Sequence, residues 1–196
     1  MRQQVALLVG FATFCMTQLT GCPAVIFAGG TAGAASIASD QRTTGTVIED
    51  QAIEFRIANS IAANPELGKN SHINVTSYNN FVLLTGETPT EDLRNLAYEI
   101  ALQDPKVKKV YNELQVAEPL PLNARNYDSW LTTKVKTKLL TVKEINSFQV
   151  KVVTSNQTVY LLGIVPDTTG NLAAEVAAQV DGVQKVVKAF EYSEAN

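Results

Sequence analysis

Apolar residues recur four apart at Ile53, Ile57 and Ile61, which is one face of a helix with a 3.6-residue period. The pattern then changes. Ile73-Asn74-Val75 alternates, Tyr78-Asn79-Asn80 reads as a turn, and Phe81 to Thr85 returns, so a β-hairpin is predicted. Thr88-Pro89-Thr90-Glu91 reads as a capping box with proline at the first helical position, opening a second helix. Val107 to Val116 supplies a last strand. The same order then recurs. Leu131, Val135 and Leu139 mark a helix, Val150 and Val152 a strand, and Ser155-Asn156-Gln157 a turn. Val159 to Gly163 returns, Asp167 is a candidate cap for a helix whose first turn is weakened by Gly170, and Val183 to Tyr192 ends the unit. Ala117 to Asn126, with Pro119 and Pro121, connects the two runs.

The second run is a copy of the first. Ile53 aligns with Leu131 at an offset of 78, Ile73 with Val150 at 77, and Asn95-Leu96-Ala97 with Asn171-Leu172-Ala173 at 76, so two single-residue gaps suffice. The expected fold is therefore α+β, two tandem αββαβ units. Each would carry a three-stranded mixed sheet with two helices on one face. Copy one is placed at 46–117, a linker at 118–125 and copy two at 126–193. Units of about 70 residues lie near the lower limit for an independent core, so the copies are expected to pack on each other.

Ahead of the repeats stand Arg2, an apolar run from Val5 to Leu19, and Cys22. That is the length of a secretory signal, and short of the ~20 apolar residues of a membrane span. Leu19-Thr20-Gly21-Cys22 resembles the lipobox of bacterial lipoproteins. The resemblance implies that residues 1–21 are a signal peptide. It also implies that Cys22 becomes the first residue, bearing an S-diacylglycerol and an N-acyl chain such as palmitate. Each buried methylene adds ~0.8 kcal/mol, so several chains hold a protein stably at a membrane. Pro23 stands where an Asp would retain such a protein in the inner membrane, which points to the outer membrane. Residues 22–45, with Gly29, Gly30 and Gly33, are expected to be a flexible tether.

Charge and chemistry narrow the function further. Without residues 1–21 the chain has 15 basic and 19 acidic residues, which argues against nucleic-acid binding. Cys15 and Cys22 both lie in or beside the leader, leaving no thiol for a disulfide, metal site or nucleophile. His72, the one histidine, has no second histidine or cysteine to complete a metal site. No phosphate loop and no nucleophile beside a base is present. No enzymatic activity, cofactor or metal is expected.

Ile73-Asn74-Val75-Thr76 with Val82-Leu83-Leu84-Thr85-Gly86, and Val150-Lys151-Val152 with Val159-Tyr160-Leu161-Leu162-Gly163, resemble tandem BON domains. Val110-Tyr111-Asn112-Glu113 and Trp130-Leu131-Thr132-Thr133-Lys134-Val135 carry the resemblance further. With the lipobox in front, it implies a non-enzymatic outer-membrane lipoprotein facing the periplasm. Such a protein would bind anionic phospholipid such as phosphatidylglycerol, gather at division sites, and support outer-membrane integrity and assembly, as a monomer. A second reading, from another class, is a protein-interaction scaffold for outer-membrane assembly or division machinery, with copy one's acidic surface meeting the partner.

The first helix of copy two is where lipid binding would sit. At 100° per residue Leu131, Val135, Leu139 and Val142 share one side, and Trp130, Lys134, Thr137 and Thr141 the other. Thr133 and Leu140 lie at the margin, and Lys136 and Lys138 flank the apolar stripe. An indole suits the membrane interface, and lysines near anionic headgroups add ~1 kcal/mol each. Copy one has Ala52, Ala58 and Ser60 at the places of Trp130, Lys136 and Lys138, and Glu49, Asp50 and Glu54 read as an acidic surface. Copy one carries 6 basic and 10 acidic residues, copy two 7 and 6. The competing placement buries Trp130 between the copies, since interdomain contacts also recruit aromatics. Gly86 and Gly163 close the second strand of each copy. A backbone with φ > 0 or a close approach is favoured there over a ligand-binding role.

Overall fold

The computed structural model describes residues 40–193. Cys22, the signal peptide and most of the assigned tether lie outside the described residues. The elements are α1 (Thr44–Ala63), α2 (Pro65–Asn70), β1 (His72–Tyr78), β2 (Phe81–Thr88), α3 (Glu91–Leu102) and β3 (Lys109–Val116). Then come α4 (Leu122–Leu140), β4 (Val150–Ser155), β5 (Thr158–Val165), α5 (Asp167–Ala178) and β6 (Lys185–Tyr192). A 3-10 turn at Ser147–Gln149 precedes β4.

Each copy forms one sheet, β1-β2-β3 and β4-β5-β6, with an antiparallel hairpin and a parallel third strand. The helices cover one face. Ile53, Ile57 and Ile61 of α1 and Ala97 and Ala101 of α3 pack on Val82, Leu84 and Leu114. Leu131, Val135 and Leu139 of α4 and Ala173 and Ala177 of α5 pack on Val159, Leu161 and Phe190. The α+β reading and the mixed sheets agree with this architecture.

The other faces of the two sheets meet. Tyr78, Leu83, Tyr160, Leu162 and Ala189 form a third core between the copies. Burial there pushes the Tyr78 and Tyr160 phenols up to about 12. Two matched contacts show an approximate two-fold relation: Asn79 donates to Glu191 at 2.6 Å, and Asn156 to Gln115 at 2.9 Å. Among the described residues, both helix-side cores, the shared core and six strands form one unit, so a fragment from residue 40 keeps all of these contacts.

Each hairpin turn is held by a buried aspartate from the preceding helix. Asn79 and Asn80, and Asn156 and Gln157, all have positive φ, the geometry of a two-residue primed turn. Asp50, only 2% exposed, accepts from the Asn79 and Asn80 N–H groups and the Ser77 hydroxyl, and pairs with Arg42 at 2.8 Å. Asp128 accepts from the Asn156 and Gln157 N–H groups.

Several boundaries differ from those read in the sequence. Residues 40–45, placed in the tether, belong to the folded unit. Thr43 caps α1 by accepting from Thr46 N–H, and Arg42 is fixed by Asp40, Asp50 and the Tyr78 ring 3.9 Å away. Thr88 is not a helix cap. It ends β2 opposite Val116, and Thr90 caps α3 instead, accepting from Leu93 N–H. Strand pairing takes Thr88 into the sheet before the helix begins. Asp167 is the first residue of α5 rather than its cap, and its carboxylate accepts from Asn171. Gly170 lies under the Phe190 and Tyr192 rings, where a Cβ would stand 3.1 Å from each. α4 begins at Leu122, inside the assigned linker, directly after Pro121.

Candidate lipid-facing site

The site is built on α4. Leu131, Val135 and Leu139 are buried to 1% exposure or less, which fixes the helix rotation and turns the opposite side outward. Trp130 is 51% exposed there, so its placement between the copies is overturned. Its ring is supported on two sides. Tyr127 packs at 5.3 Å between centroids, and the Lys134 ammonium sits 4.5 Å over the indole. Lys134 also donates to the Asp181 carbonyl at 2.9 Å.

Below Trp130 runs a stripe of threonines. Thr133 donates to the Ser129 carbonyl, Thr137 to the Thr133 carbonyl and Thr141 to the Lys138 carbonyl. These back-bonds satisfy the hydroxyls within the helix, so the stripe has lower polarity than its composition suggests. Trp130, Lys134, Thr137 and Lys138 line an open groove of about 410 Å³ against Gln179 to Asp181. Lys136 and Lys138 are exposed beside it. Farther along, Leu140 is 61% exposed and meets Phe148, itself 53% exposed, at a smaller hollow that Lys136 also borders.

Phe148 escaped the sequence reading, although a signal was available. Comparing the copies position by position puts Leu122, Tyr127, Trp130, Leu140 and Phe148 against Thr44, Glu49, Ala52, Ala62 and Ser71. These large apolar residues of copy two, small or polar in copy one, are all exposed. Helical periodicity reads α4 alone, and Phe148 sits beyond it.

The matching groove of copy one, about 550 Å³, is open too, but its arginine is held by ion pairs. Arg56, the counterpart of Lys134, donates to Asp104 at 2.7 Å and 3.1 Å and to Glu49 at 2.9 Å. The acidic surface read on α1 needs correcting: Asp50 is buried, Glu49 pairs with Arg56, and Glu54 pairs with Lys151 of copy two at 2.9 Å. What α1 presents instead is Ile48 and Phe55, 63% and 69% exposed.

Hydrogen bonds from Arg56 hold the Asp104 carboxyl below its usual value. A depressed folded pKa contributes stability above the unfolded value, near 3.9, and that stability is lost as pH falls through the folded value. The stability gap between the native protein and Arg56→Gln should therefore be open at pH 7 and narrow below about pH 4, as read by denaturant unfolding at each pH.

Gly86 and Gly163 have no part in the site. At Gly86, with φ +118°, a Cβ would lie 1.9 Å from the His72 carbonyl oxygen. At Gly163 it would lie 2.3 Å from that of Gln149. Gly182 does bear on the site. Its φ is +102°, and a Cβ there would stand 2.3 Å from the Tyr127 hydroxyl. Gly182→Ala should displace Tyr127 and loosen Trp130, seen as a red-shifted, more quenchable indole emission. An unchanged emission would show that Tyr127 does not position the ring.

Residues 49–118 and 127–194 each match the BON domain. The chain is 38% identical over 190 residues to the outer membrane lipoprotein DolP of Haemophilus influenzae, covering 97% of this chain and 96% of that one. It is 37% identical over 153 residues to a 21 kDa hemolysin of Actinobacillus pleuropneumoniae, covering 78% and 79%. Among solved structures, the C-terminal domain of CdsD, a structural protein of the Chlamydia trachomatis type III secretion system, overlaps 72% of this chain and 65% of its own, at 16% identity and a TM-score of 0.29.

Proposed function

Since the chain belongs to the BON-domain family, with two copies of the domain, we propose that it is an outer-membrane lipoprotein facing the periplasm that binds anionic phospholipid through α4. Anchorage through acylated Cys22 is part of the same proposal, as are support of outer-membrane integrity and enrichment at division sites. The relative named an outer membrane lipoprotein, aligned over nearly the whole of both chains, supports the location.

The observation that carries lipid binding is the difference between the two equivalent grooves. In copy one Arg56 is locked between two carboxylates. In copy two those carboxylate contacts are gone, and a lysine covers a half-exposed indole with two more lysines alongside. An indole at headgroup depth flanked by ammonium groups is the mixture that holds a helix in the interface plane. Lys134, Lys136 and Lys138 would meet phosphate, and Trp130, Leu140 and Phe148 the acyl boundary. Among the described residues no helix is long and apolar enough to cross a membrane, so contact there would be peripheral.

Flotation of the fragment from residue 40 tests this without the acyl anchor. It should float with phosphatidylglycerol vesicles, stay in the bulk with phosphatidylcholine, and lose binding as salt rises, because the lysine contribution is screened. A fragment that ignores both vesicles would support the other reading, a protein-docking scaffold. The observation favouring that reading is the exposed Ile48 and Phe55 pair on α1. Phe55→Ser should leave flotation unchanged in either case.

A further inference from the structure

The two-fold relation between the copies is broken at the outer edges of their hairpins. β1 and β4 are edge strands, each paired on one side only. The two-residue turns make Tyr78–Phe81 and Ser155–Thr158 the first hydrogen-bonded pairs, and the alternation then points the N–H and C=O of Ser77 and Val75, and of Thr154 and Val152, away from their own sheets. At Ser77 this edge is sealed. Glu54 accepts the Ser77 N–H at 2.7 Å, and Lys151 bridges Glu54 and the Ser77 carbonyl. The equivalent residues across the relation are Thr132 and Asn74, both too short to repeat the seal, and Thr132 bonds the Thr154 hydroxyl instead.

The result is a cleft of about 540 Å³, walled by Val75 on one side and Val152 and Thr154 on the other, with Arg125, His72 and Glu87 around it. The outward main-chain groups of Val75, Val152 and Thr154 have no hydrogen-bond partner among the described residues. The Arg125 Nε is also shut off from solvent without a partner. Glu87, 2% exposed, is already served by the Leu120 N–H and faces His72 at 3.9 Å. Asp128 is taken by the hairpin turn. Among the described residues Arg125 makes no ion pair, and a guanidinium bordering the cleft suits a carboxylate.

We infer that this cleft binds an extended peptide ending in a free carboxylate. The peptide seats as a strand between the open edges of β1 and β4, with its terminus on Arg125. Main-chain pairing with an exposed edge supplies affinity with little sequence demand, and the guanidinium sets polarity and chain end. The cleft is bordered by Ser129 and Thr132 of α4 but by none of Trp130, Lys134, Thr137 and Lys138, and the inference does not depend on lipid binding.

The test is NMR titration of the fragment from residue 40 with a short alternating Val-Thr peptide bearing a free C-terminal carboxylate. Its C-terminal amide and a version N-methylated at alternate residues serve as comparisons. The free-acid peptide should shift the Val75, Val152 and Thr154 amides and the Arg125 Nε–H. The amide and the N-methylated peptide should each bind about tenfold more weakly, the effect of ~1.4 kcal/mol. The double variant Asn74→Lys with Thr132→Glu rebuilds the seal of copy one, and should abolish the shifts while leaving vesicle flotation intact. Absence of shifts at Val75, Val152 and Thr154 up to millimolar peptide would overturn the inference. So would equal binding of the three peptides, or binding retained by the sealed variant.

Discussion

Replacing Trp130 by alanine should lower the affinity of the fragment for phosphatidylglycerol vesicles by roughly thirtyfold. Moving a large aromatic side chain out of water contributes about 2 kcal/mol, and 1.4 kcal/mol is tenfold in affinity. The fold should survive, because Trp130 is half-exposed and the helix is held by Leu131, Val135 and Leu139 on the other side. Thermal unfolding of the variant should match that of the native protein within the small range expected of surface changes. Phenylalanine at the same place restores the apolar ring without the N–H, and should recover most of the affinity. Unchanged flotation in Trp130→Ala would remove the indole from the binding surface.

Gly86→Ala should cost the most stability of any single change considered. The added Cβ would fall 1.9 Å from the His72 carbonyl oxygen, at a residue whose φ of +118° already disfavours any side chain. The clash is with main chain, which cannot swing aside as a long side chain can. The expected loss is about 4 kcal/mol or more, a large share of the 5–15 kcal/mol that holds a typical domain. Gly163→Ala meets the Gln149 carbonyl at 2.3 Å without the positive φ, and should lose less. Circular dichroism melts give both values. Because the sheets share the core around Tyr78 and Tyr160, unfolding one copy bares the apolar face of the other. Loss of activity in either variant would therefore report lost structure. A Gly86→Ala protein that melts like the native one would contradict this account.

The fold was legible because its pattern is written twice. Ile53, Ile57 and Ile61 and their partners Leu131, Val135 and Leu139 are all buried, and the hairpins turn where Asn79-Asn80 and Asn156-Gln157 said they would. Local chemistry misled where two signals overlapped. Thr88 and Thr90 can each cap a helix, and only the parallel pairing of β2 with β3 decides that Thr88 stays in the strand. Asp50 looked like a surface charge because charge counts carry no information on depth. Its role depends on Ser77, Asn79 and Asn80, at least 27 residues away. At the candidate site, the helical period alone turned Trp130, Thr137 and Thr141 outward. Phe148 reaches the same surface through a 3-10 turn that has no periodicity to read.

The most direct measurement is residue-resolved NMR of the fragment from residue 40, titrated with phosphatidylglycerol micelles or bicelles and, separately, with phosphatidylcholine. The account predicts that anionic lipid alone perturbs the Trp130 indole N–H and the amides of Thr133, Lys134, Thr137, Lys138, Leu140 and Phe148, while α1 and Arg56 stay still. Perturbations centred on copy one, or identical responses to the two lipids, would contradict it.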